Sequence, residues 1–296
     1  MWLLFAILSS FLFGLVIILD EQCVNKIFEK PWFGVITSSL SSMIVFQSIP
    51  FVAPFVDTSI PETTLIIIAF LAGCFFQSSQ FFYFRALIYS DAGIVSAYWN
   101  FTPAFLPLAS YIIFRQAFNL HQYIGIIIQI FASVGLCLVD SNLRTRWIAL
   151  FFMLGGSMLQ VIGYMMEDYV FDRAPFFPAY LIFTAGLITT GFVPLFWHTY
   201  RQQVLRNFRT LISFLRIFLL IEIVNLVAIA LGQFALTSSS APLVAAISST
   251  IPMHIFLINL FLLRFVPKLV KRESPHKLPY KFGLVTCMVF GVWLLS

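Results

Sequence analysis

Ten stretches of this chain are long and apolar enough to cross a hydrocarbon core of roughly 30 Å, which takes about 20 residues of helix. They run from Trp2 to Leu19, Phe33 to Val56, Leu65 to Tyr89, Ala92 to Phe114, His121 to Val139, Trp147 to Met166, Phe177 to Trp197, Ile212 to Leu236, Ala241 to Leu263 and Tyr280 to Leu295. Inside lipid every backbone N–H and C=O must be satisfied by the protein itself, which leaves helices or closed barrels. None of the runs shows the alternation of barrel strands. The sequence therefore predicts an all-α integral membrane protein with ten transmembrane helices. The opening "MWLLFAILSSFLFGLVIILD" lacks the basic n-region and cleavage site of a signal peptide, and is read as the first helix.

Charge is scarce and segregated. Only 10% of the residues are charged and the formal net charge is +5. The basic residues collect in a few connections, as they do where they set membrane orientation, so nucleic-acid binding is a poor reading. Cys23, Cys74, Cys137 and Cys287 are far apart with no CxxC, and His121, His198, His254 and His276 are scattered; no metal or disulfide framework and no cofactor is implied. His254, with no carboxylate or second histidine at ligand spacing, reads as a satisfied core histidine. Two connections are long and polar, His198 to Thr210 and Arg264 to Lys281.

The chain also repeats itself. "RALIYSDAGIVSAYWNFTP" (Arg85 to Pro103) aligns without a gap to "FALTSSSAPLVAAISSTIP" (Phe234 to Pro252), pairing Ala86 with Ala235, Leu87 with Leu236, Ser90 with Ser239, Ala92 with Ala241, Val95 with Val244, Ala97 with Ala246 and Pro103 with Pro252. Gly125 and Gly135 find counterparts in Gly283 and Gly291. Asp20-Glu21 stands opposite Glu167-Asp168, Lys26 opposite Arg173 and Pro31 opposite Pro178. The expectation is two five-helix halves, 1–142 and 143–296, joined near Ser141 to Arg146. Five is odd, so the halves cross the membrane in opposite senses, as an inverted repeat.

With that pattern the sequence resembles the EamA-like, ten-helix members of the drug/metabolite transporter superfamily. The likeness rests on Ala86 to Gly135 (Ala-Leu, a short polar turn, small residues, a central proline, a charged turn, then glycine) and on its weaker copy in Ala235 to Gly291. One departure is "RQAFN", Arg115 to Asn119, where the family often has a Gly-Glu-Arg-like turn. The resemblance implies a secondary transporter of a small organic metabolite, working by alternating access and using no cofactor.

Proline inside a helix removes a hydrogen bond and crowds the carbonyl four residues earlier, here Trp99 for Pro103 and Ser248 for Pro252. The reading is a kink near the middle of one helix in each half, where repeat-built transporters place their substrate. Tyr98, Trp99, Asn100 and Thr102 would line one side of such a cavity, and Ser248, Ser249 and Thr250 the other. Each could equally be helix-packing contact. Ionisable groups within spans are costly and tend to be functional. Glu222, with Asn225 one turn away, is the candidate proton site, or else a structural acid. Gln77, Gln80 and Arg85 fall in one helical arc; Arg85 could contact an anion or snorkel to the headgroups. Gln160, Tyr164 and Glu167 form a polar stripe facing the bundle interior. An aromatic cavity with few charges suits an amino-acid-like or amphoteric solute better than a polyanion.

The connections after the first, third, fifth, seventh and ninth helices hold nearly all of the 17 Lys and Arg; only Arg115 and Arg173 lie on the opposite face. Counting charges places both termini on one side, outside the cytoplasm. The family resemblance implies both inside. The expected location is the plasma (bacterial inner) membrane, as a monomer or homodimer whose partners are the lipid bilayer and a small-molecule substrate. Two rivals stand beside this reading. A membrane-embedded lipid-modifying enzyme would need Asp20, Glu21, Glu167 and Asp168 to converge, whereas they read as a rim with Lys26 and Arg173. A non-transporting partner subunit would dock through the basic loop Arg264 to Lys281, which topology and anionic lipid already explain.

Overall fold

The computed structural model describes residues 1–26, 33–86, 89, 95, 98–140, 147–265 and 276–296. Outside them lie Pro31, most of the polar turn and small residues from Leu87 to Ala97, the junction at Ser141 to Arg146, and the middle of the basic loop, 266–275. The described residues are almost wholly helical. We number the helices α1 (Trp2–Lys26), α2 (Phe33–Phe55), α3 (Thr63–Ala86), α4 (Phe101–Phe114), α5 (Leu120–Asp140), α6 (Trp147–Phe171), α7 (Phe176–Phe196), α8 (His198–Ser213), α9 (Leu215–Leu236), α10 (Ala241–Phe265) and α11 (Leu278–Leu295). Nine of these reach spanning length among the described residues, and α4 is the shorter tenth. Exposed side chains such as Ile112, Phe131, Phe151, Leu220 and Phe290 give the bundle the apolar surface that a bilayer solvates.

Packing follows the repeat. Helix α3 lies against α6 and α7, and its counterpart α9 lies against α1 and α2; α4 meets α6, and α10 meets α1. The pairs α4–α10, α2–α7 and α5–α11 close on themselves. Helices from the first and second parts of the chain therefore interlock. Glycine sets the closest approach: a Cβ on Gly73 would overlap the Phe183 carbonyl oxygen, and one on Gly186 the Phe70 carbonyl oxygen. These reciprocal contacts bring α3 and α7 backbone to backbone, the arrangement small residues permit in membranes. Helices α5 and α11 come close at Gly125, where a Cβ would stand 3.1 Å from the Gly291 carbonyl oxygen, while Gly135 leaves room for the Leu284 side chain.

Three expectations change. The connection His198 to Thr210 is the amphipathic helix α8, because tyrosine, valine, leucine and phenylalanine recur on one face of an arginine-rich stretch. Helix α9 accordingly begins at Leu215 rather than Ile212. Helix α11 begins at Leu278 rather than Tyr280, and Lys281, the last residue of the polar connection read from sequence, is buried with its ammonium 5.1 Å from the Phe256 ring centre. Its aliphatic stem lets it pack while a cation–π contact meets the charge.

Helix α10 starts without a side-chain cap from its own N-cap, Ser240, whose backbone is extended. Asp168 on α6 performs that task from a neighbouring helix, accepting the Ala241 N–H at 3.0 Å. Asp168→Ala strands this donor and should cost about 1 kcal/mol, with Asp168→Asn retaining most of it. The apparent melting temperature of the two variants in one detergent checks the ordering; equal losses would contradict it.

Candidate functional site

The two prolines do not kink continuous helices; they follow breaks. Asn100 occupies a turn between helical Trp99 and α4, so Pro103 lies in the first turn of the segment Phe101–Phe114. In α10 the segment Ala241–Ser248 ends, Ser249 and Thr250 form a turn, and Ile251–Phe265 resumes with Pro252 second. Proline is tolerated there because first-turn N–H groups have no partner within the helix. The kink expected at Pro103 and Pro252 is thus a discontinuity just upstream of each, at equivalent positions of the repeat.

Beside these breaks is a cavity of about 160 Å³. One water needs roughly 10–15 Å³ by the same measure, so a small solute fits. Of the residues expected from sequence, Trp99, Asn100, Thr102, Pro103, Ser248, Ser249, Gln77, Gln80, Asn225 and Glu222 line it. Tyr98, Thr250, Arg85 and Pro252 do not. Tyr98 stacks on Phe101, with ring centres 6.1 Å apart. Thr250 turns its hydroxyl back onto the Ile247 carbonyl at 2.7 Å, satisfying the turn it belongs to. Arg85 is exposed in the last turn of α3, its guanidinium 6.0 Å from the Phe152 ring centre. That placement fits snorkelling and removes Arg85 as an anion contact in the cavity.

The polar lining is organised by hydrogen bonds. Glu222 is 3% exposed; its Oε1 accepts from Ser42 Oγ at 2.6 Å and Asn225 Nδ2 at 3.2 Å. The Asn225 bond is the one-turn pairing read from sequence. Gln77 is held for structure, since its amide donates to Val35 O at 3.1 Å and Ser39 Oγ at 2.9 Å across to α2. Thr102 donates to Gln160 Oε1 at 2.9 Å, tying the break before α4 to α6. The α6 stripe does face inward: Gln160 and Tyr164 line the cavity. Glu167, farther along, is buried and accepts from Gln233 Nε2 at 3.0 Å.

Asp20, read as part of a bundle rim, lines the cavity too. It has no hydrogen-bond donor among the described residues, and its carboxylate interacts electrostatically with Glu222. Tyr83, Phe84, Phe76 and Phe13 add aromatic surface. Sequence reading missed these because membrane helices abound in phenylalanine and only the fold shows which face inward. His254 departs from expectation as well: it is buried, edge-on to Phe11 at 5.8 Å, and its Nε2 has no hydrogen-bond partner among the described residues. No three His, Cys, Asp or Glu converge as a metal site among the described residues.

A second recess, on the opposite face, is lined by Trp2, Gln116, Asp168, Arg173, Ser240 and Ser296, so both termini border it. Asp168, which accepts from the Ala241 N–H, lines this recess, and its chain neighbour Glu167 accepts from Gln233.

Residues 1–138 match the model of the EamA-like transporter family. No curated protein matches the chain. A solved structure described as "Crystal structure of protein" superposes with a TM-score of 0.65 at 13% identity, covering 98% of this chain and 96% of that one, which shows a shared fold.

Proposed function

We propose, from the match of residues 1–138 to the EamA-like transporter family within the drug/metabolite transporter superfamily, that this membrane protein carries out secondary active transport of a small organic solute through the cavity at the paired helix breaks. The observation that carries this reading is the cavity's position. It lies where the discontinuities before Pro103 and Pro252 meet, one from each half. Rocking of interlocked inverted halves about such a site exposes it to one face at a time. The Glu167–Gln233 and Asp168–Ala241 contacts hold the face that bears the termini, and Glu222 carries the proton that couples transport to a gradient. No Gly-x-x-x-x-Gly-Lys phosphate cradle occurs in the sequence, which supports a gradient or exchange as the energy source. Uptake of a metabolite panel into proteoliposomes tests this. Saturable flux of at least one solute above empty vesicles is expected; flux equal to empty vesicles for every solute overturns it.

The proposed orientation follows charge, with the plasma membrane as the site. Arg201, Arg206, Arg209 and Arg216 in and beside α8, and Arg264 at the end of α10, concentrate positive charge at one end of the bundle, so that end is taken as cytoplasmic and both termini as outside. A reporter active only in the cytoplasm, fused to Ser296, should be silent. Full activity would reverse the orientation.

A further inference from the structure

Resting on the transport reading, we infer that the cavity is built for an organic amine, an ammonium group on an aromatic or branched apolar body, without a carboxylate of its own. The argument begins with the acceptors. Asp20 and Glu222 come from helices α1 and α9, which pack along one another, and both turn into the cavity. Glu222 Oε1 is engaged by Ser42 and Asn225, whereas Asp20 has no donor among the described residues. Ser249 supplies an independent observation. It is 4% exposed, lines the same cavity at the break in α10, and its hydroxyl has no hydrogen-bond partner among the described residues. A buried hydroxyl without a partner costs free energy that a ligand can recover.

An ammonium presents three donors and no acceptor. Two carboxylates and an unpaired hydroxyl are the complementary set, and hydrogen bonds between charged partners are the strong ones. The rest of the lining suits the body of such a solute. Trp99 and Tyr83 meet edge to face at 5.3 Å, forming an aromatic wall beside Phe84, Phe76 and Phe13. Ring faces attract a cation as well as apolar surface. A solute carboxylate, by contrast, would enter beside two like charges. Among the described lining residues there is no lysine, arginine or histidine to receive it, and Arg85 lies outside. The amino-acid-like solute expected from sequence rested on an aromatic cavity with few charges, and the amine keeps that aromatic body without the carboxylate.

Phenethylamine and tyramine, set against phenylalanine and tyrosine, differ by that one group and form the test. Purified full-length protein should be stabilised against heat by each amine and not by its parent acid, and proteoliposomes should take up labelled phenethylamine with saturation. Asp20→Asn and Glu222→Gln should each weaken the thermal stabilisation by about tenfold in apparent affinity, the size of one charged hydrogen bond. Asp57→Asn, on an exposed connection, should leave it unchanged. Binding or uptake of the acids with none of the amines overturns the inference and leaves transport standing. Amine binding without uptake supports the site and counts against transport. No response to either class overturns the inference.

Discussion

Glu222→Gln should abolish the acceleration of solute uptake by an imposed pH gradient and should weaken solute binding by about tenfold or more. The substitution preserves shape. Glutamine can still accept from Ser42 and Asn225 through its carbonyl oxygen, so the scaffold around residue 222 is retained while the titratable group is lost. A purely structural acid would respond differently: uptake would fall with melting temperature, and its dependence on the gradient would persist. Initial rates with and without the gradient, measured beside the melting temperature, separate the two. Unchanged gradient dependence in a stable Glu222→Gln protein removes Glu222 from coupling. The cavity gives this residue its weight, because a carboxyl at 3% exposure in a spanning helix is costly unless something uses it.

The second large effect is structural. Gly73→Ala and Gly186→Ala each place a Cβ onto a backbone carbonyl of the facing helix, Phe183 in one case and Phe70 in the other. Backbone cannot swing aside as a side-chain tip can. Each should therefore cost about 3 kcal/mol, the upper part of the usual overpacking range, and together they should prevent isolation of a monodisperse protein. Gly283→Ala is the comparison, since a Cβ there meets nothing within 4 Å. It should raise stability slightly, by about 0.5–1 kcal/mol, because alanine favours helix over glycine. Melting temperatures in one detergent test the series. Equal behaviour of Gly73→Ala and Gly283→Ala would show that α3 and α7 do not approach as described.

How much of this was legible in the sequence depended on which physical signal each element carries. Spans α1, α3, α5, α6 and α9 announce themselves, because the bilayer demands continuous apolar length and a sequence records length directly. The repeat was visible where both copies are punctuated by proline, since Pro103 and Pro252 constrain backbone whatever surrounds them. Their effect was mistaken in kind: a proline predicts a kink at its own position, whereas Asn100 and Ser249, which stand in the actual turns, carry no comparable signal. Helix α8 was hidden because its mean polarity reads as loop, and only its periodicity shows a helix. Within the site, Glu222 and Asn225 were found because charge and amide in a span are rare enough to notice. Asp20 was seen and misplaced, since its position near the end of α1 reads as a rim until α9 is packed beside it. Arg85 failed for the converse reason: the arc it shares with Gln77 and Gln80 is real, but the long side chain reaches past the end of α3 to the surface.

Chemical blockage of the cavity tests the central claim, that solute passes between the helix breaks, most directly. Asn100→Cys places a thiol in the turn before α4, in a protein whose cavity-lining Cys23 is replaced by alanine and whose exposed Cys287 is replaced by serine. Counterflow of labelled phenethylamine is then followed in proteoliposomes before and after treatment with a thiol reagent. The account predicts that reagent stops counterflow in the Asn100→Cys protein, that preloaded amine protects against it, and that the parent lacking Cys23 and Cys287 is unaffected. Counterflow that continues undiminished once the introduced thiol is fully modified would contradict it.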